Sequence, residues 1–226
     1  MKKIVFNILS ATAYVLMAQN EGTAIYEMTI EGLPPEQTSM MGDMTMKIVW
    51  KGDKVYSEQS SMMYEIKSVS DENGALVLMD QMGNKIYMKI DYNDPKYKEK
   101  EKEQPEYKIE YTNDTKKIAG YDCKKAIVTM KTRKGEEMKA DVWYTEQIPN
   151  HYKKQKASGR RGQNMVYIRE IKGMPLEYSV PQGQMAIRVK AKEINFNPVP
   201  DNIFNLSTEG YTEIKPEQMK GMGGGQ

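Results

Sequence analysis

Short runs in which apolar and polar residues alternate occur along most of this chain of 226 residues and limit the folds available to it. Residues 44–50, MTMKIVW, and residues 24–30, AIYEMTI, both alternate in this way. Successive side chains on a β-strand point to opposite faces, so each run predicts a strand with one apolar face. The two predicted apolar faces carry Ala24, Tyr26, Met28, Ile30, Met44, Met46, Ile48 and Trp50.

Further alternating runs occur throughout the rest of the chain. They cover residues 55–59, 75–80, 85–91, 107–112, 123–132, 138–145, 177–180 and 185–194. Turn sequences at 81–84, 133–136 and 181–184 join neighbouring runs into three predicted hairpins. Helical patterns are few: we expect short helices within 33–43, 145–161 and 216–220, and a solvated loop over 93–106. The predicted fold class is mainly β: one large antiparallel sheet or an incompletely closed barrel with few short helices.

The N-terminus has the order of features found in a secretory signal peptide. Lys2 and Lys3 precede a short apolar run over 4–18, and Ala18 is a small residue at the predicted cleavage point. We therefore predict a signal peptide at 1–18, a single β-rich domain at 19–214 and a flexible tail at 215–226. The expected location is the periplasm or the outside of the cell.

The net charge of the chain does not indicate nucleic acid as a partner. The chain has 33 basic and 31 acidic residues, and loss of residues 1–18 would remove Lys2 and Lys3 but no acid. The predicted mature chain is therefore neutral, and neither nucleic acid nor a transmembrane segment is expected.

Cys123 and His151 are the only cysteine and the only histidine. A single cysteine cannot form an internal disulfide, so the fold must rest on its core. Gly120 permits a turn just before Cys123, so the run 117–126, KIAGYDCKKA, predicts the opening of a β-hairpin, in which Cys123 begins an alternating run. A buried structural thiol, an intermolecular disulfide and a catalytic nucleophile remain open for Cys123. His151 lies in a basic stretch and is predicted to be solvated. We expect no enzyme, no catalytic residue, no metal ligands and no cofactor.

Methionine is unusually frequent, with 19 in the chain and a dense run over 39–46. Three interpretations are open. The methionines pack in the core, they form an adaptable apolar pocket, or Met40, Met41, Met44 and Met46 bind Cu(I) through their thioethers.

Several motifs resemble those of a known group of exported proteins. The run 117–126, KIAGYDCKKA, is similar to the I-x-G-Y-x-C-x-K-A core of uncharacterised exported Gram-negative proteins. The segments 142–149, 173–177 and 200–204 are similar to the same group. Together they resemble a domain-of-unknown-function family related to the GLPGLI proteins, and distantly the LolA-like lipoprotein-localisation fold. This resemblance implies an incompletely closed antiparallel barrel with an apolar concavity, which in LolA-like carriers holds acyl chains.

The function predicted from these observations is binding or carriage of a lipid or another hydrophobic ligand in an apolar concavity. The lining predicted for it is Tyr26, Met28, Met44, Met46, Ile48 and Trp50. The alternative is an envelope interaction or structural module without a small ligand, whose partner is an envelope protein.

Overall fold

The structure of the protein is a computed structural model. It describes residues 20–34, 36, 42–101, 107–131, 137–154, 166–182, 185–215 and 218. The predicted signal peptide and most of the predicted tail lie outside these residues, so the three domain boundaries stay predictions.

Twelve strands in the described part of the chain form one sheet. They are β1 (Glu21–Glu31), β2 (Met44–Lys51), β3 (Lys54–Ser60), β4 (Tyr64–Ser70), β5 (Gly74–Gln81), β6 (Asn84–Asp91), β7 (Tyr107–Ile118), β8 (Tyr121–Lys131), β9 (Glu137–Thr145), β10 (Met174–Gln182), β11 (Met185–Asn195) and β12 (Thr212–Glu213). The described helices are α1 (Pro95–Glu101) and α2 (Val166–Glu170), with single 3-10 turns η1 (His151–Lys154) and η2 (Asp201–Phe204).

The sheet consists of two meanders joined at its middle. Strands β1 to β6 pair in sequence order, strands β7 to β11 do the same, and β1 pairs with β11 to connect the two halves. Every pair is antiparallel except β12 with β6. The sheet is not closed, because β7 and β12 occupy its two ends.

The connection from β6 to β7 requires this sheet to curl. Ten strand spacings separate the two strands, or about 48 Å in a flat sheet. The connecting residues 92–106 include α1, which rises about 10 Å. The ten Cα–Cα steps between Asp91 and Tyr107 that lie outside α1 span at most about 36 Å when fully extended, so the whole connection still falls short of 48 Å. A flat sheet therefore cannot be connected, and the curled sheet acquires an inner and an outer face.

The predicted fold class is confirmed: the chain is mainly β, with a large, predominantly antiparallel sheet and short helices. Two local predictions were wrong. Strand β4 was missed, and α1 forms in part of the predicted 93–106 loop, where Asp94 accepts hydrogen bonds from the backbone of the first helical turn. The predicted helices at 33–43 and 216–220 lie largely outside the described residues.

None of the helices in the described ranges is long and apolar enough to cross a lipid bilayer.

Candidate ligand-binding face

The strand register divides the side chains between the two faces of the sheet. Tyr26 pairs with Met46 and Gly22 with Trp50, so the predicted apolar faces of β1 and β2 are one continuous surface. Both Tyr26 and Trp50 belong to the main hydrophobic core. We call this side of the sheet the inner face.

All six residues of the predicted lining lie on the inner face and are 7% exposed or less. They are packed in the core rather than open to solvent, because the described residues of a cover segment, 146–154 and 166–173, lie over them. Ile148, Tyr152, Ile168 and Ile171 of this cover segment are buried in the same cluster. The structure thus brings the six residues together as predicted, but as part of a packed core; whether they also contact a ligand stays a prediction.

His151 holds the cover segment against the sheet. Its ring stacks on Trp50 with centroids 4.3 Å apart, and the side chain is buried. The prediction of a solvated histidine was therefore wrong. The basic residues that follow His151 indicated a surface stretch, but burial is set by the stacking partner across the core, which the local sequence does not reveal.

Buried tyrosines lie between the cover segment and the sheet. The Tyr26 hydroxyl donates a hydrogen bond to the carbonyl of Pro175, at 3.1 Å. Burial raises the pKa of Tyr26 and the pKa of Tyr152 far above the ordinary tyrosine value. Both hydroxyls therefore stay neutral at physiological pH, and neither is available as an anionic base.

On β4, β5 and β6 the side chains of the inner face are less buried than on β1 and β2. The main core cluster includes Val55 of β3 but, among the described residues, no side chain of β4, β5 or β6. Ile66, Met79, Ile86 and Ile90 are only partly buried there. This half of the inner face is therefore less completely covered than the half on β1, β2 and β8–β11.

The inner face of β3–β6 carries no charged side chain. The register places the following residues on it: Val55, Ser57, Gln59, Tyr64, Ile66, Ser68, Ser70, Ala75, Val77, Met79, Gln81, Asn84, Ile86, Met88 and Ile90. The outer face of the same strands carries Lys54, Glu58, Glu65, Lys67, Asp80, Lys85, Lys89 and Asp91. We call the uncharged surface the ligand face.

A polar strip crosses the ligand face. The hydroxyl oxygens of Ser57 and Ser68 are 2.7 Å apart and share a hydrogen bond across β3 and β4. Next to them, Gln59 donates from its side-chain nitrogen to the sulfur of Met46, at 3.9 Å. Neutral groups that can hydrogen-bond therefore lie among apolar side chains, at the border with the packed core.

The outer face of the same strands is covered by residues 199–214, which we call the C-terminal strap. Val199 and Phe204 pack against Val49 and Tyr56 in a second hydrophobic cluster. Lys51 donates to the carbonyl of Val199 at 2.9 Å and lies 2.8 Å from a carboxylate oxygen of Asp201. The strap and the outer face of β2 and β3 therefore form a second, smaller hydrophobic core.

An almost buried carboxylate lies at the centre of a cluster on the outer face of strands β7–β11. Lys116 and Arg188 both pair with Glu177, with Lys116 at 2.9 Å. Burial raises the pKa of Glu177, but hydrogen bonds from these two cations outweigh it and hold the pKa below the ordinary value. The Lys116 ammonium also lies 4.1 Å from the centre of the Trp143 ring. The almost buried carboxylate of Glu177 is thus paired with two cations, as a buried charge in a structural cluster must be.

Cys123 lies beside this cluster and is 1% exposed. Burial raises the pKa of its thiol to about 11, so the reactive thiolate is a minor form at neutral pH. The described residues include no group of three or more His, Cys, Asp or Glu side chains arranged to hold a metal ion. What the structure describes thus favours the structural interpretation of Cys123 over the nucleophilic one.

Sequence reasoning missed the ligand face because β4 was not predicted. The run YEIKSVS at 64–70 does not alternate apolar with polar residues; it alternates uncharged with mostly charged ones, since Glu65 and Lys67 are on the outer face. The alternation of uncharged with mostly charged residues in 64–70 could have predicted strand β4 and, with it, the ligand face.

Comparison with known proteins assigns the family. A family described as a domain of unknown function, DUF4412, matches residues 21–211. The chain belongs to this family. The match spans strands β1 to β11 and all but the last three residues of the strap. The relationship to the GLPGLI proteins and to the LolA-like fold stays a prediction. A search of the curated proteins found no significant match.

Solved structures with distant similarity belong to several kinds of protein. PNGF-II shares 15% identity at a TM-score of 0.47, covering 90% of this chain but only 33% of its own. A domain provisionally assigned to outer membrane lipoprotein sorting, from Vibrio parahaemolyticus, shares 13% identity at a TM-score of 0.35, covering 87% and 95% of the two chains. A beta-barrel-like DUF1849 protein from Brucella abortus shares 7% identity at 0.29, covering 77% and 97%. TM-scores this low do not define a common fold.

Proposed function

We propose that this DUF4412 protein is exported and binds a lipid acyl chain or a similar hydrophobic ligand on the ligand face. The observation that supports this proposal is the separation of charge on β3–β6. Every charged side chain of these strands is on the outer face, while the inner face is uncharged and only partly buried.

The physical reason is the cost of leaving apolar surface in water. Burial of apolar area contributes about 25 cal/mol per Å², so Ile66, Met79, Ile86 and Ile90 would gain from a ligand that covers them. The hydroxyls of Ser57 and Ser68 can hydrogen-bond a neutral polar group such as an ester. A ligand with a long apolar part and few uncharged polar atoms fits these groups.

The lining predicted from the sequence borders this face. Met44, Met46, Ile48 and Trp50 are on β2, next to β3, and Met46 already contacts Gln59. Flexible methionine side chains at the border suit ligands of varied shape. We therefore place the main contacts on β3–β6, with Met44 and Met46 at the edge.

The test is native mass spectrometry on the protein isolated from its own cell envelope, followed by solvent extraction and lipid analysis. The expected result is a stoichiometric apolar ligand on the wild type; the same intact mass reports whether residues 1–18 have been removed.

Displacement of a hydrophobic fluorescent dye then measures the affinity of the ligand face for apolar molecules. Met79→Glu puts a charge on the ligand face and should weaken binding at least about tenfold, or 1.4 kcal/mol. Lys89→Gln, on the outer face, changes the net charge equally and should leave affinity unchanged.

Two results would contradict the proposal. The first is a wild-type protein that carries no lipid and binds no dye, which would favour the interaction module. The second is equal affinity in Met79→Glu and Lys89→Gln when circular dichroism shows both to be folded, because the ligand face would then not be the site.

A further inference from the structure

Four exposed methionines lie at one end of the curled sheet. Met62 and Met63 are in the β3–β4 turn, Met82 is in the β5–β6 turn, and Met185 is the first residue of β11. Their exposed fractions are 79%, 44%, 80% and 39%. In the part of the chain that the structure describes, the other exposed large apolar residue is Tyr111 on β7. The exposed apolar side chains are therefore concentrated rather than scattered.

The strand order places these four methionines at the same end. Strands β1 to β6 pair in sequence order and antiparallel, so the β1–β2, β3–β4 and β5–β6 connections lie at one end of the sheet. Ala186 at the start of β11 pairs with Glu31 at the end of β1, which puts the β10–β11 turn at that end as well. We call these four connections, together with Met185, the methionine rim.

The turns at the opposite end of the sheet have a different composition. They are residues 52–53, 71–73 and 119–120, with the sequences GD, DEN and AG. These residues are acidic, polar or small, and none of them is a large apolar residue. Single exposed apolar side chains occur on most protein surfaces, whereas their accumulation at one place marks a contact surface. The methionine rim has the composition of such a surface, and the opposite end does not.

The dense methionine run over 39–46 does not supply the exposed side chains. Met44 and Met46 are buried on the inner face, because alternation along β2 directs both into the core. Met40 and Met41 lie outside the described residues. The Cu(I) interpretation used these four thioethers, and burial removes two of them from the surface.

Met82 is in an unfavourable position for folding. Its φ is 51°, in the left-handed region, which is strained for a residue other than glycine or asparagine. Gly83 follows with a φ of 87°, and a two-residue turn of this kind favours Asn-Gly. The Met82 side chain is also largely exposed, so it gains little from burial within the chain. Stability of the turn therefore does not account for a methionine at this position.

The ligand face becomes more exposed toward the methionine rim. Val55 and Ser70, at the end away from the rim, are buried, and Ile66 further along is partly buried. Gln81 and Asn84, which pair beside the β5–β6 turn, are exposed. The ligand face therefore opens at the end of the sheet that carries the exposed methionines.

Apolar side chains rather than charges distinguish the rim. The described residues of its turns include no Lys or Arg. Two acidic side chains beside the turns are paired, since Asp80 lies 3.8 Å from Lys85 and Glu31 lies 3.3 Å from Arg188. These described turns thus have no excess of positive charge that would attract an anionic partner.

From this arrangement we infer that the methionine rim docks on the surface of a lipid bilayer. Flexible, unbranched side chains on separate turns can each enter the boundary between headgroups and acyl chains, where binding strength scales with the apolar area buried. A protein partner would instead meet aromatic or arginine side chains at the centre of one patch. The described turns of the rim contain neither.

Docking at the rim also gives the ligand face a route to the bilayer. Because the face opens at the rim, an acyl chain can move between the bilayer and β3–β6 without exposing its apolar surface to water. Entry of a ligand through the rim rests on the proposed function, whereas docking of the rim on a bilayer does not.

Flotation with phosphatidylcholine vesicles tests the docking, with protein isolated from its own cell envelope. The rim variant combines Met62→Gln, Met63→Gln, Met82→Gln and Met185→Gln. Burial of one apolar side chain of this size corresponds to about a tenfold change in partitioning, so the rim variant should lose at least about tenfold in vesicle affinity. High salt should not weaken the association, because salt screens charges and not apolar contacts. Glu72→Gln, at the opposite end, should change nothing.

A fluorescent label identifies which end of the sheet meets the bilayer. Cys123 is buried, so a cysteine placed on the surface is labelled selectively. An environment-sensitive label on Met62→Cys should shift its emission to shorter wavelength when vesicles are added. The matched label on Glu72→Cys should not shift.

Two further measurements separate docking from ligand binding. The rim variant should keep the wild-type affinity for the hydrophobic dye, because none of its four substitutions is on the ligand face. Transfer of a pyrene-labelled acyl ester from vesicles to the protein should be slower in the rim variant, in proportion to the vesicle affinity that it loses. A wild type that floats with vesicles but binds no dye would support docking while contradicting the proposed ligand site.

Three results would overturn the inference. The first is undiminished flotation of a rim variant that circular dichroism shows to be folded. The second is a shift of the label at position 72 without one at position 62. The third is a wild type that does not float; crosslinking of its rim to an envelope protein would then identify the rim as a protein contact surface instead.

Discussion

At the scale of single residues, Gly22 shows how tightly the core is packed around Trp50. A Cβ atom at position 22 would lie 2.5 Å from the Trp50 ring and 2.7 Å from the carbonyl oxygen of Asn195. We expect Gly22→Ala to lower the free energy of unfolding by about 1–3 kcal/mol, since neither the ring nor the backbone can move easily. Urea unfolding measures the change. Thr29→Ala, exposed on the same strand, should stay within about 0.5 kcal/mol. Equal midpoints for the two variants would contradict this packing.

Individual residues were predictable where the local chain decides their role. The run KIAGYDCKKA was interpreted as the opening of a hairpin, and the structure places a two-residue turn at Ala119 and Gly120, with φ of 47° and 86°. His151 was not predictable, because its stacking partner Trp50 is distant in sequence.

At the scale of elements, the cover segment depends on one amide side chain. Asn150 donates to the carbonyls of Ile168 and Ile171, at 2.8 and 2.9 Å, and accepts from the N–H of Tyr152, at 3.0 Å. Asn150→Ala would remove these bonds from the Ile171 carbonyl and the Tyr152 N–H, and would leave the Ile168 carbonyl with only a 3.4 Å bond from the N–H of Ile171. We expect a loss of about 2–4 kcal/mol and faster hydrogen exchange at Tyr152.

Asn202→Ala is the control for that change, because Asn202 is exposed in the strap and should have little effect. Unchanged exchange at Tyr152 in Asn150→Ala would show that the cover segment is held in another way.

Element prediction succeeded where hydrophobic periodicity was strong and failed where it was weak. Strands β1 and β2 were read from their apolar alternation, and the β5–β6 turn was found at 81–84. Strand β4 was missed because its inner residues include serines and its outer residues include Val69, so apolar periodicity cannot identify its inner face. The ligand face was missed with it.

At the scale of the whole molecule, buried weak acids make stability depend on alkaline pH. Burial raises the pKa of Cys123 from 9.0 to about 11 and the pKa values of Tyr26 and Tyr152 above 10.0. The folded state therefore holds these protons more tightly than the unfolded state. Their stabilising contribution is complete below pH 9 and is lost as pH rises, first through Cys123 between 9 and 11 and then through the tyrosines.

We expect urea midpoints to fall steadily across that range, and Cys123→Ala to flatten the part nearest pH 9. The part of the tyrosinate absorbance that Tyr26→Phe removes should appear together with unfolding rather than before it. A midpoint that does not change over this range would contradict the burial of these groups.

The class of fold follows from the order of amino acids alone, since period-two alternation and hairpin turns are local properties that identify most of the strands and their apolar sides, β4 excepted. The same alternation also placed Tyr26, Met28, Met44, Met46, Ile48 and Trp50 on one surface. Three further features arise only from long-range packing: the cover segment buries those six residues, the strap closes the outer side of β2–β6, and β3–β6 present an uncharged, partly open face. These outcomes depend on the pairing of β1 with β11 and on contacts between residues more than 100 positions apart, which local periodicity does not encode.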